Sequence, residues 1–146
     1  VTELLCGRRR ILFTGDIERE GLARMVQSGH ESPIDVLKVP HHGAASSLDR
    51  AWLSRVRPAI AVVSAGRRNP YGHPASEVIA AYQSVESKLW RTDQDGAVWA
   101  DLDLAQERLA MHSTREWQLQ PAFVTAPLWT IEQDNFRRLW RRWNWD

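Results

Sequence analysis

The chain has 146 residues, 43% of them hydrophobic and 25% charged, with a formal net charge of +1, a composition that excludes disorder, collagen and coiled coil and fits one globular domain. At this length roughly 70% of the unfolded surface can be buried, so a core needs neither disulfides nor a structural metal. The single cysteine, Cys6, excludes an internal disulfide and a cysteine-based zinc cluster, and its apolar neighbours give the expectation of a buried thiol. No window reaches the roughly 18 consecutive apolar residues of a membrane span, and no signal-peptide pattern is present. Val1 stands where an initiator Met would, which gives the expectation of a piece cut from a longer protein.

In chain order, residues 1–6 and 9–14 are apolar runs separated by Gly7-Arg8, which predicts a β-hairpin whose second strand leads into Thr14-Gly15-Asp16. Leu22, Met25 and Val26 at i, i+3, i+4 predict a helix from Glu18 to Ser28, closed by Gly29. A strand from Ile34 to Val39 runs into Pro40-His41-His42-Gly43. Ser47 is the expected cap of a helix with Leu48, Trp52, Leu53 and Val56 on its apolar face, stopped by Pro58. Ala59 to Ser64 predicts a buried strand, followed by a Gly/Pro-rich loop from Gly66 to Pro74. Ser76 opens a helix with Val78, Ile79, Tyr82 and Val85 inward, Lys88 to Thr92 is a fourth strand, and Asp95-Gly96 turns the chain into an alternating strand from Ala97 to Leu104.

Alternating strands and helices predict an α/β layered sheet. Loops that follow parallel strands gather at one sheet edge, where sites in α/β proteins usually lie. Asp16, the His41-His42 pair, His73, and Asp93 with Asp95 follow four successive strands, so one edge is expected to collect carboxylates and imidazoles. After about residue 105 the pattern weakens; Arg108 to His112 reads as a last strand. Ile131 to Trp143 reads as an amphipathic helix, in a tail that holds five of the eight Trp residues. Residues 1–104 carry equal numbers of basic and acidic residues, so the net positive charge comes from this tail.

Asp and His without Cys form a ligand set suited to Zn, Mn or Fe. A metal held there lowers the pKa of bound water and, as a pair of ions, stabilises both oxygens of a displacement. A carboxylate at a strand end, such as Asp16, can bridge two ions; the same residue could simply cap the helix that follows. One of His41 and His42 could be a ligand and the other its supporting or substrate-contacting neighbour, or both could be polar loop residues.

Four motifs then agree in order: Phe13-Thr14-Gly15-Asp16-Ile17-Glu18, Leu37-Lys38-Val39-Pro40-His41-His42-Gly43, Asn69-Pro70-Tyr71-Gly72-His73-Pro74, and Arg91-Thr92-Asp93-Gln94-Asp95-Gly96. Together they resemble the C-terminal metallo-β-lactamase-like domain of ComEC-type competence proteins, over about residues 1–104. The resemblance implies an α/β fold, the C-terminal half of an αββα sandwich, over 1–104, with a Trp/Arg-rich extension over 105–146. It implies a parent in the inner membrane, with this domain extracytoplasmic, that takes up DNA. The implied partners are single- or double-stranded DNA, the channel part of the same parent and other uptake components. The implied activity is hydrolysis of phosphodiesters in the strand that is not imported, with a divalent metal, Zn or Mn and two ions in the complete domain, as cofactor.

Residue by residue, Asp16 matches the bridging aspartate and His41-His42 the late histidine motif, with the ligand of the pair left open. His73 matches a Gly-His-Pro position that could touch substrate or donate a proton to the leaving oxygen, or simply fix its loop. Arg67 and Arg68, in the same loop, are candidates to steady a phosphodiester. The family's first His/Asp ligand cluster is absent, so the chain is expected to hold part of a metal site, to bind metal weakly and to lack nuclease activity alone. Two further readings remain: a non-catalytic DNA-binding or channel-gating domain, in which the basic aromatic tail stacks on bases and pairs with phosphates, and a hydrolase of the same superfold with another substrate.

Overall fold

The computed structural model describes residues 1–27, 33–106 and 108–115. Strands β1 (Thr2–Cys6) and β2 (Arg9–Phe13) form the expected antiparallel hairpin through Gly7-Arg8. Helix α1 (Arg19–Gln27) leads toward β3 (Val36–Lys38), helix α2 (Arg50–Val56) connects β3 to β4 (Ile60–Val63), and helix α3 (Ser76–Ser84) connects β4 to β5 (Lys88–Arg91). The sheet order is β1-β2-β3-β4-β5, with β2 to β5 all parallel. A one-turn helix α4 (Thr92–Asp95) then leads to a separate antiparallel pair, β6 (Val98–Asp103) and β7 (Arg108–Ser113). This is the α/β architecture expected from the sequence. The turn between β6 and β7 holds residue 104, and the end expected for α1 at Ser28-Gly29 and the helix expected over 131–143 lie outside the described residues.

A strand presents alternate residues to opposite faces, and the register turns that rule into rows. Glu3, Leu12, Leu37, Ala61 and Leu89 are paired across the sheet in one row. Leu12, Leu37 and Ala61 of this row join Leu22 of α1, Trp52, Leu53 and Val56 of α2, and Val78, Ala81 and Tyr82 of α3 in the core. Consecutive parallel strands joined by right-handed crossovers put their helices on one face. That core makes this the helix-covered face.

The neighbouring rows point the other way. Leu4, Ile11, Val36, Ile60 and Lys88 form one, and Thr2, Phe13, Lys38, Val62 and Trp90 another. The second face is therefore largely apolar, and Leu4 and Phe13 on it are 46% and 48% exposed.

Three local expectations are corrected. The cap of α2 is Asp49, whose side chain accepts a 2.9 Å hydrogen bond from the Trp52 amide. The Ser47 hydroxyl, buried, lies 2.7 Å from the Ala44 carbonyl oxygen and 3.0 Å from that of Pro40, and closes the short 3-10 turns that precede the helix. In α3 the inward set is Val78, Ala81 and Tyr82, with Ile79 only half-buried. Cys6 is half-buried, because β1 is an edge strand.

Candidate functional site

Because β2 to β5 run parallel, the segments after them emerge at one sheet edge. Thr14 is fully buried there, and its hydroxyl donates to the Lys38 carbonyl oxygen at 2.7 Å, tying the end of β2 to the end of β3. The next loop is joined to the first by the His41 amide, which donates to the Gly15 carbonyl oxygen at 3.0 Å. The His-His turn itself is backbone-strained. His41 and His42 both adopt positive φ, 44° and 55°, and Gly43 follows at 82°. Consecutive left-handed residues with side chains cost free energy and persist where surrounding contacts enforce them, commonly at functional sites.

The enforcing contact is the third loop. A Cβ built on Gly43 would meet Pro74 Cβ at 2.6 Å and Cα at 3.1 Å, and the Ala75 amide donates to the Gly43 carbonyl oxygen at 2.9 Å. Only glycine permits this approach. Asn69 holds the loop around His73. Its amide nitrogen donates to the carbonyl oxygens of Gly66 and His73 at 2.8 and 2.7 Å, and its oxygen accepts from the His73 amide at 2.9 Å. Thr92, after β5, accepts from the Ala65 amide and donates back to the Ala65 carbonyl oxygen.

These ties bring Asp16, His41, His42 and His73 together. His42 Nε2 lies 3.5 Å from Asp16 Oδ1, and His42 Nδ1 lies 2.7 Å from the Ser64 carbonyl oxygen. A carbonyl oxygen only accepts, so the ring proton sits on Nδ1. A neutral ring then points a lone pair at a carboxylate. A second ring proton satisfies that arrangement, and so does a cation held between the two. A metal-bound imidazole characteristically donates its other N–H to a carbonyl or carboxylate, so His42 with Asp16 fits a divalent metal through two donors. His41 differs. Its Nδ1 is buried without a hydrogen-bond partner, 3.3 Å from Glu18 Oε1 in a geometry that makes no hydrogen bond. Its ring centre is 6.1 Å from that of His73 and 6.3 Å from that of His42. Among the described residues, no three His, Cys, Asp or Glu side chains converge on one point as a metal group.

An open cleft of about 450 Å³ adjoins this cluster, lined by His42, Asn69, Tyr71, His73, Thr92 and the segment from Ser64 to Gly66. Tyr71 is stacked on His73, with ring centres 5.8 Å apart and planes 21° apart. Lys38 reaches within 3.9 Å of Asp16; burial lowers its ammonium pKa, and the Asp16 charge offsets part of that.

The carboxylates of the fourth loop are engaged within that loop. Asp93 forms a bidentate pair with the Arg91 guanidinium at 2.6 and 3.1 Å, and Asp95 accepts from the Arg91 amide at 2.8 Å, so both carboxylates close the α4 turn. The loop's contribution to the cleft is Thr92. Arg67 and Arg68 are exposed, with Arg67 Nε 3.4 Å from the Asp93 carbonyl oxygen, and neither lines the cleft. Sequence reasoning gave no role to Asn69, Thr92 and Tyr71. Asn69 was legible as an Asn four residues before His73 in a turn-rich loop; the role of Thr92 depends on strand register.

The chain is 36% identical over 87 residues to ComE operon protein 3 of Bacillus subtilis, which covers 60% of the chain and 11% of that protein. It is 33% identical over 109 residues to Recombination protein 2 of Haemophilus influenzae, covering 75% and 13%. It is 32% identical over 125 residues to Competence protein ComA of Neisseria gonorrhoeae, covering 83% and 18%. The chain thus spans less than one fifth of the length of these relatives. No protein-family model matches it, and no solved structure matches it. Among the described residues no helix is long and apolar enough to cross a membrane. The four motifs read from the sequence and these three relatives together support kinship of the chain with bacterial competence proteins.

Proposed function

We propose that the chain is part of a DNA-uptake protein and belongs to a metal-dependent domain that hydrolyses phosphodiesters of the strand that is not imported. The observation that carries this reading is the Asp16–His42 pair, with its 2.7 Å link to the Ser64 carbonyl and the strained His-His turn that presents it. The names of the relatives, competence and recombination, favour DNA as the substrate.

In this reading Asp16 and His42 would hold a divalent cation, which when bound would activate water and neutralise developing charge. His42 is kept in one tautomer by Ser64. His41 and His73 face the same edge, and His73, at the cleft wall, contacts the phosphodiester or hands a proton to the leaving oxygen. Arg67 and Arg68 on the same loop as His73 attract the backbone by local charge.

The fold reading is the C-terminal half of an αββα metallo-β-lactamase-type sandwich. Its support is the second sheet face, where Leu4 and Phe13 are about half exposed and Ile60 and Val62 partly so, a surface that a further layer would cover. Residues of the parent outside this chain would provide that layer and the remaining metal ligands. The parent is assigned to the inner membrane, with this domain on its outer side.

The test takes the chain within the whole domain of its parent protein, as the joined domain, and follows cleavage of a labelled single-stranded oligonucleotide with Mn²⁺ or Zn²⁺. Metal-dependent cleavage lost in Asp16→Ala is expected. DNA binding without cleavage under either metal would instead establish the non-catalytic reading, which draws on the absence of a third converging ligand among the described residues.

A further inference from the structure

We infer that Tyr71 is a stacking platform for a nucleobase, so that the cleft recognises a base-bearing nucleotide unit and not a bare phosphodiester. The inference deepens the phosphodiester reading above and rests on it.

Tyr71 is 78% exposed, the most exposed large hydrophobic residue among those described. A single exposed hydrophobic residue is ordinary on a protein surface; what sets Tyr71 apart is its place in the cleft wall, stacked on His73. One face of the ring is covered by His73, at 5.8 Å between centres and 21° between planes. The other face is open. A ring already stacked on one side extends the stack when a base lies on the other, as in single-strand binding sites where aromatic rings supply sequence-tolerant affinity.

The loop is rigid where it needs to be. Pro70 precedes the tyrosine, Gly72 follows it at φ 68°, and the three Asn69 hydrogen bonds lock the segment between Gly66 and His73. A preset ring loses little conformational entropy on binding. The location is also specific: Tyr71 lines the same cleft as His42, His73 and Thr92, so a base on Tyr71 places its own phosphate group in the cleft beside those imidazoles.

The test measures binding of the full 146-residue chain to single-stranded oligothymidylate and to an abasic oligonucleotide with the same number of phosphates, at several salt concentrations. Wild type should prefer oligothymidylate by roughly 5- to 100-fold. Tyr71→Ala should abolish the preference and Tyr71→Trp should retain it. Equal binding of both probes by wild type would overturn the stacking assignment while leaving the phosphodiester reading in place. A preference that survives in Tyr71→Ala would move the stacking away from Tyr71 and overturn it equally. Binding of neither probe would overturn this inference, while the phosphodiester reading is tested separately by cleavage in the joined domain.

Discussion

Asp16 faces His42 across 3.5 Å while the far nitrogen of the same ring is held by the Ser64 carbonyl at 2.7 Å. The imidazole is thereby fixed in tautomer and direction by a backbone atom. His42→Ala should lower divalent-metal affinity and hydrolysis by the joined domain by on the order of 100-fold. Ser64→Ala should change both little, because only the Ser64 main chain takes part. Titration calorimetry on the two variants separates ring orientation from side-chain chemistry at position 64.

Gly43 sets the distance between the His-His turn and the His73 loop. With Pro74 Cβ 2.6 Å from the position of an added Cβ, and φ at 82°, Gly43→Ala should destabilise the fold by about 1–3 kcal/mol. The urea midpoint reads this directly. An unchanged midpoint would mean that the two loops do not meet as described.

The α2 cap gives a third check. Asp49→Ala should cost about 1 kcal/mol through loss of the hydrogen bond from the Trp52 amide. Ser47→Ala should act elsewhere, loosening the 3-10 turns after Pro40, and should therefore disturb the His41 and His42 signals in an NMR spectrum. Asp49→Ala should leave those signals in place.

Asp35 makes stability depend on acid pH. Burial alone would raise its pKa above 3.8, but the Arg10 amide, the Arg9 hydrogen bond and the charges of Arg9 and Arg10 outweigh it and hold the carboxyl lower. The ionised form therefore favours folding. Its contribution is complete above about pH 3.8 and drains away as pH falls through the lowered folded-state value. Asp35→Asn should cost about 1–2 kcal/mol at neutral pH, since the Arg9 pair at 2.7 Å is partly exposed. Below that window the gap between wild type and variant should close in denaturant titrations.

Much of this was legible in the sequence because period and punctuation agree. Strands β2 to β4 each carry a short apolar run followed within three residues by Gly or Pro, and α1 to α3 carry apolar residues at helical spacing. What stayed hidden depends on tertiary placement. Both Ser47 and Asp49 precede α2, and residue preferences do not choose between two good caps. Asp93 and Asp95 belong by sequence to the loops of the site edge, and only the structure shows that Arg91 pairs with one by its side chain and the other by its amide. The sequence singles out the His41-His42 pair without choosing between its members; the left-handed turn aims one ring at Ser64 and Asp16 and leaves the other with a buried nitrogen that makes no hydrogen bond.

The central claim is that Asp16 and His42 share a divalent cation. The most direct measurement is Mn²⁺ titration of the chain followed by NMR, with His112, paired to Asp101 at 3.1 Å on the β6–β7 hairpin, as an internal comparison. Paramagnetic broadening should reach the His42 ring and the Asp16 signals at lower Mn²⁺ than the His112 ring, and Asp16→Ala should remove that difference. Broadening of His112 first, or of all histidines together, would contradict the assignment.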